Sequence, residues 1–510
     1  MHLAHEATMA VLTDALLALA APAPDAAARL RRRLAEASPT ALAAATQART
    51  LVGDVGPCLT EPFESPFSLI NRGPATPPLH LLPQPLTMRP DYPIAGTVDA
   101  DTLRPKAQRL QADLRSDLER AHADPNALLF LLEQYGWAVS AGAPGLSFAD
   151  VARLTAAVAG ALTHGPDQLL LISADLSGVQ SFIYTISAKG ALRTLRARSF
   201  YLELITEEVA RRLLERIGLT RANLIYAGGG HLFMLAPDLP AVHAAVAAVQ
   251  AELNAWLLKS MDGKVALALG AAPCPFAQVA VGAEGAPEIW RQATAQVSQV
   301  KAARFRASAA GSEFWEAREL GAATCDICHC QSDDPRTIEV DTGAEPIEAC
   351  PLCWQLHRLG GRLPKARYVA VTPSGAGAHV VIDGTGFHVC ETTADVQALA
   401  EKQTVLAINA LSVAELAVGP GAYPLWLGSY TYRSEDSRTQ ATFEDLAKAA
   451  VGKDLIGVLR MDVDRLGQLF SGGLPQGYRD FARTAGLSGA LTRFFKLHIN
   501  SICEGERVMG

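Results

Sequence analysis

At 510 residues, with 49% hydrophobic and 19% charged side chains, the chain has apolar material for about three or four domain cores, which excludes a single small module and global disorder. Forty-five Lys and Arg against 52 Asp and Glu give a net charge of -7, so nucleic acid would have to be held by local basic patches. Long apolar stretches are interrupted by charge, Gly or Pro before the roughly 18 residues of a membrane span, so no membrane is expected as a partner.

Residues 1–100 are predicted to be a helical region followed by an extended connector. Asp14 interrupts the apolar run LTDALLALAAPAPDAAA and no Lys or Arg precedes Arg29, so this start reads as an Ala-rich helix rather than a leader. From Gly56 to Pro93 prolines recur, fixing φ and removing backbone donors. Helical patterns return over 101–165, including NALLFLLEQYGWAVS.

Residues 166–285 carry the pattern strand, helix, strand, strand, helix, strand. Gln168–Ala174 is a buried strand, and Lys189–Ile217 a helix with Leu195, Leu202, Ile205, Val209, Leu213 and Ile217 on one face. Glu207 with Arg211 and Glu208 with Arg212 are expected as pairs on its wet face. Strands at 224–227 and 232–236 flank a tight turn, Gly228-Gly229-Gly230-His231. Asp238 is expected to cap a helix with Pro240 in its first turn, running to about Leu258, and KVALALG is the last strand. That order is the ferredoxin-like βαββαβ unit at the core of polymerase and nucleotide-cyclase palms. The fold class is therefore α+β.

Residues 286–365 are expected to be a linker with a metal site, 366–450 an α/β connecting segment in which Gly375–His379 turns into a strand, and 451–510 the start of a second palm. An internal repeat supports the last assignment: LLISADLSGVQSFI at 170 and IGVLRMDVDRLGQLFS at 456 share a strand ending in Asp, a polar residue two positions on, then Gly, Gln and Phe. A helix is expected from Leu487 to about Ile502. At the spacing of the first copy, the second copy's hairpin falls after Gly510.

Nine Cys are few for a disulfide scaffold, and four of them form two C-x-x-C pairs, which in a reducing cytoplasmic setting points to metal. Cys325, Cys328, Cys350 and Cys353 have the spacing of two knuckles closing tetrahedrally on a structural zinc, with Cys330 and His329 as lower-ranked alternatives. Asp462 and Asp464 end a buried strand as a palm places the carboxylates that hold magnesium or manganese against a nucleoside triphosphate, and are the catalytic candidates. The first palm has Asp175 and Ser177 there, with Gly230 and His231 where hairpin acids would stand. It is not expected to hold two metals, yet the Gly228, Gly229 and Gly230 amides can approach phosphate. Lys189, Arg193 and Arg196 share one helical face and would suit phosphate or RNA, or form a solvated basic face. Lys301 and Arg304 in KAARFR would touch RNA backbone, or be plain surface charge.

ADLSGVQSFIYTISAKGALRTLRARSFYLELITE, IYAGGGHLFML, CDIC with CPLC, and GVLRMDVDRLGQLF resemble, in that order, the Csm-type polymerase-cyclase large subunit of type III CRISPR effector complexes. The resemblance runs from about Asn126 to the C-terminus. It implies an antiviral ribonucleoprotein subunit, bound to guide RNA, target RNA and other effector subunits, that converts ATP to cyclic oligoadenylates between two palms. Such subunits begin with a His-Asp nuclease domain, but none of the 12 His here is followed by Asp, so that nuclease is expected to be degenerate or lost. The family's Gly-Gly-Asp-Asp hairpin is not in the sequence, so synthesis would need a completing segment, for example on a separate chain. The alternative is a non-catalytic scaffold subunit.

Overall fold

The structure, a computed structural model, describes residues 2–21, 24–70, 76–121, 124–185, 191–315, 323–339, 346–419, 421–428, 443–457 and 468–503. Lys189, Asp462 and Asp464 lie outside them, and so does most of the expected second-palm strand.

The N-terminal third is helical: α1 (His2–Ala20), α2 (Pro24–Ala35), α3 (Pro39–Val52), α4 (Ala100–Arg120), α5 (Pro125–Gly136) and α6 (Phe148–Leu162). Side-chain caps fix several starts, as where Ser38 accepts from Ala41 N with Pro39 in the first turn. The α6 helix is buried almost all round, and its alanines let α1 and α3 pack against it. The proline-rich connector is not simply extended: Phe63–Glu64, Leu79–Leu81 and Ile94–Ala95 pair as a small antiparallel sheet.

The palm follows as β1 (Leu169–Ser177), α7 (Ala191–Ile217), β2 (Leu224–Gly228), β3 (His231–Pro237), α8 (Pro240–Met261) and β4 (Ala266–Cys274). Its strands order β2-β3-β1-β4, all neighbours antiparallel, which is the ferredoxin-like arrangement. The central strand β1 reads as an unbroken apolar run because both its faces are covered. Leu169 and Leu171 enter the core shared with the N-terminal helices, while Leu170, Ile172, Ala174 and Leu176 enter the core under α7 and α8. On the first face lies α9 (Ala286–Ala302), whose Trp290 meets Phe233 edge-on with ring centroids 4.3 Å apart. This helix sits so close that a Cβ on Gly270 of β4 would be 2.7 Å from Val297 N.

Two local expectations are corrected. Leu239, not Asp238, is the N-cap residue of α8; Asp238 accepts from Gln168 Nε2 at 2.8 Å and pairs with His243 Nε2 at 2.7 Å. The supposed wet face of α7 is buried, because a second sheet covers it. That sheet follows α10 (Pro351–Arg362) and comprises β5 (Tyr368–Thr372), β6 (Val380–Ile382), β7 (Thr385–Cys390), β8 (Thr404–Ile408) and β9 (Tyr423–Leu425), in the order β6-β7-β5-β8-β9. Glu208 does pair with Arg212, at 2.6 Å, and also with Arg211, at 2.8 Å, and accepts from Thr385 Oγ1 at 2.8 Å. Glu207 instead forms a two-pronged pair with Arg221, both bonds 2.9 Å, and accepts from Tyr423 Oη at 2.9 Å.

Near the C-terminus α11 (Phe481–Arg493) continues helically through Cys503, where a helix was expected. Its Phe481 packs 5.6 Å from Trp290, so the second-palm segment rests on the first palm through α9. Two of the described helices, α1 and α8, have the length and composition to cross a membrane, though Glu6 and Asp14 interrupt the first and Glu252 and Lys259 the second, as the sequence pattern implied. In the fold α1 is a core helix, and α8 sets Val242, Val249, Leu253, Leu257 and Met261 into the palm core.

Candidate nucleotide and metal sites

The end of β1 places Asp175 directly across from His231, the first residue of β3. Between β2 and β3, Gly229 and Gly230 both have positive φ, +63° and +87°, the two-residue turn that suits the twist of a hairpin and that a side chain would strain. His231 Nδ1 lies 3.3 Å from Asp175 Oδ2, and Lys301 Nζ from α9 reaches the same oxygen. Ser177, two residues on, donates from Oγ to Ala266 O at 3.1 Å. Gly178 follows with φ +85°, and a Cβ there would sit 1.9 Å from Lys264 O. Asp175, His231 and the Gly228–Gly230 turn thus meet at one end of the sheet, with Ser177 two residues beyond Asp175 on β1. Lys301, expected to touch RNA backbone or be plain surface charge, pairs with Asp175.

The other basic candidates diverge. Arg193 Nη1 lies 3.2 Å from His357 Nε2 on α10. Arg196 lines a cavity of about 820 Å³ with Glu203, Gly229, Arg367, Glu415 and Lys496. Burial, and after it the charge of Arg193, pulls the Arg196 pKa down from its usual value. Lys496, from the second-palm segment, pairs with Glu203 of α7 at 2.6 Å. Arg304 is exposed, its guanidinium 5.0 Å from the Phe305 ring centroid.

The four cysteines come together as two knuckles. One is a turn at 325–328; the other is the N-terminus of α10, where Cys350 Sγ accepts from Cys353 N. Their four sulfurs all lie within 4.8 Å of one another, and Cys328 and Cys350 are 3.7 Å apart. Tetrahedral zinc with sulfur bonds of about 2.3 Å needs sulfur separations near 3.8 Å, so this all-sulfur donor set fits zinc. Cys330 sits beside the group, 3.2 Å from Cys328, and His329 is exposed with φ +57°. Hydrogen bonds from Cys328, Cys350 and Cys353 hold the Cys325 pKa down, while the bond to Cys325 pushes Cys353 up.

Arg198, Phe182, Glu203, Lys496 and the Glu207–Arg221–Tyr423 cluster did not stand out in the sequence. Phe182 was marked only as part of the internal repeat and Glu207 only as a partner of Arg211, while Arg198 had the signal of an arginine inside an otherwise core-directed face of α7.

Residues 168–316 match the family model described as Csm1 subunit domain B, and residues 455–509 match Cas10/Cmr2, second palm domain. The chain is 33% identical over 361 residues to the Mycobacterium tuberculosis protein named CRISPR system single-strand-specific deoxyribonuclease Cas10/Csm1 (subtype III-A), covering 65% of this chain and 42% of that protein. It spans about half the length of the curated relatives it matches. Two solved structures share its fold. A Csm1-Csm4 cassette in complex with one ATP superposes with TM-score 0.72 at 23% identity, covering 99% of this chain and 71% of that one. A Csm1-Csm4 cassette in complex with cA4 gives 0.70 at 22%, covering 99% and 70%. Over the span it shares with them, the chain resembles the Csm-type large subunits of type III CRISPR systems.

Proposed function

We propose that this chain is part of a cytoplasmic, guide-RNA-directed type III CRISPR ribonucleoprotein, and contributes the first palm and the start of the second to a target-RNA-activated synthase of cyclic oligoadenylates from ATP. The observation that carries it is the Asp175–His231 end of a ferredoxin-like palm, with a second-palm segment docked on the same domain through Lys496 and Phe481. Solved relatives of this fold hold ATP and cA4. Residues 166–285 are the proposed first palm and 451–510 the start of the second; 1–100, 101–165, 286–365 and 366–450 are the proposed N-terminal region, helical segment, zinc linker and connecting segment.

In this reading the 3'-hydroxyl of one ATP attacks the α-phosphate of another, and pyrophosphate leaves. Asp462 and Asp464 would hold magnesium or manganese, which supplies charge neutralisation and activates the attacking oxygen. The first palm works differently. Asp175 already carries Lys301 and His231, so the Gly228–Gly230 backbone, His231 and Ser177 would position a nucleotide without a metal pair. Lys189, Arg193, Arg196 and Arg304 are proposed phosphate or RNA contacts, and the four cysteines a structural zinc site. Guide and target RNA and other effector subunits are the proposed partners.

The test is to incubate ATP, magnesium, guide complex and target RNA with the 1–510 polypeptide, with and without a segment bearing a Gly-Gly-Asp-Asp hairpin. Product is expected only with the segment, and is lost in Asp462→Asn. Robust product without the segment overturns the shared site. Stable assembly without product in either case favours a scaffold.

A further inference from the structure

One buried side chain links the four-cysteine cluster directly to the palm. Arg198 on α7 is 2% exposed, and its terminal nitrogens serve two modules. Nη1 donates to Phe182 O at 2.7 Å, and Nη2 donates to Cys353 Sγ at 3.1 Å. The guanidinium also lies 4.7 Å from the Phe182 ring centroid. Phe182 sits in the short helix Val179–Tyr184, which begins immediately after Gly178 at the Asp175 end of β1. The surroundings leave little slack: a Cβ on Gly360 of α10 would be 2.1 Å from Arg193 O, and Phe182 packs on Tyr201 with ring centroids 6.2 Å apart.

Four thiolates around one zinc leave a net negative charge, which is costly to bury without a counter-cation and hydrogen-bond donors. Arg198 supplies both to Cys353, and its rigid fork lets the same group hold the Phe182 carbonyl. We propose that Arg198 is a positioning residue that couples metal occupancy of the four-cysteine site to the conformation of Val179–Tyr184. With zinc bound, Cys353 fixes one edge of the guanidinium, and the other edge fixes the segment beside Asp175. Without zinc the knuckles lose their common centre, and the segment loses its anchor. Linkage makes the effect reciprocal: ordering Val179–Tyr184 strengthens retention of the metal. The coupling does not depend on the synthase reading, because both sides of it are physical measurements.

The experiment compares the full zinc-bound chain, the same chain stripped by chelator, and Arg198→Met. Hydrogen exchange is resolved over 179–184 and over α8, and zinc transfer to a colorimetric chelator is timed. Exchange over 179–184 is expected to rise about tenfold in both the stripped chain and Arg198→Met, with α8 unchanged. Zinc transfer is expected to quicken about tenfold in Arg198→Met, within the range for partners of metal ligands, and to be partly restored in Arg198→Lys. Unchanged exchange over 179–184 after stripping the wild-type chain overturns the coupling, with no variant needed. An equal rise over α8 also overturns it, since the loss is then global. So does zinc transfer at the wild-type rate from Arg198→Met with α8 protected.

Discussion

Lys496 Nζ lies 2.6 Å from Glu203 Oε1, joining the second-palm segment to the long helix of the first palm. Both side chains are largely shielded from water, so the pair is screened less than a surface salt bridge. Lys496→Met should cost about 2 kcal/mol in urea unfolding, because Glu203 loses its charged donor. Adding Glu203→Gln should cost little more. Fully additive losses would show that the two residues act independently.

Gly178→Ala should be among the most damaging small changes in the palm. The backbone is left-handed there, and the new Cβ would lie 1.9 Å from Lys264 O. Strain and overpacking together should remove about 3 kcal/mol or more of stability. A midpoint of unfolding within 1 °C of wild type, by calorimetry, would count against this geometry.

Glu207 gives stability a defined dependence on acid. Burial alone would raise its pKa, but the charge and hydrogen bonds of Arg221, with the bond from Tyr423, hold it below the usual carboxylate range. A depressed carboxylate stabilises the fold above its unfolded pKa of about 4.3 and loses that contribution as pH falls through the lower folded value. Glu207→Gln should therefore cost about 3–5 kcal/mol at pH 7, where it leaves Arg221 buried without its partner. The gap to wild type should narrow below about pH 4. A constant gap from pH 7 to pH 3 would contradict the assignment.

Elemental analysis of protein purified without chelator should find zinc at one per chain, and Cys353→Ser should lose most of it. Zinc takes thiolates, so binding must displace thiol protons: affinity should fall as pH falls, and metal loading should release protons measurable in weak buffer. Metal-free protein with four intact thiols, retaining its content after zinc is offered, would rule the site out.

The order of palm elements was legible because each strand and helix has its own period, and the Gly228–His231 turn is set by residues that only a tight hairpin tolerates. The cysteine cluster was legible from spacing. What was hidden lay in contacts between segments far apart in sequence. The Glu207 face of α7 looks solvated until β9 brings Tyr423 over it, and Lys301 looks like free surface charge until α9 lays it on Asp175. A repeated Glu-to-Arg spacing cannot reveal whether the face it marks meets water or a second sheet. Asp238 was misplaced for a nearer reason: Gln168 and His243 compete for its carboxylate, and the backbone starts the helix one residue later.

Strand β1 puts alternate residues into two different cores, Leu169 and Leu171 into one, and Leu170 and Ile172 into the other. It is a party wall between two rooms, and neither room can be emptied while the other stays furnished. Heat should therefore melt the N-terminal bundle and the palm in a single calorimetric peak, and a proteolytic cut between α6 and β1 should leave the two halves associated rather than release either as an independent folding unit.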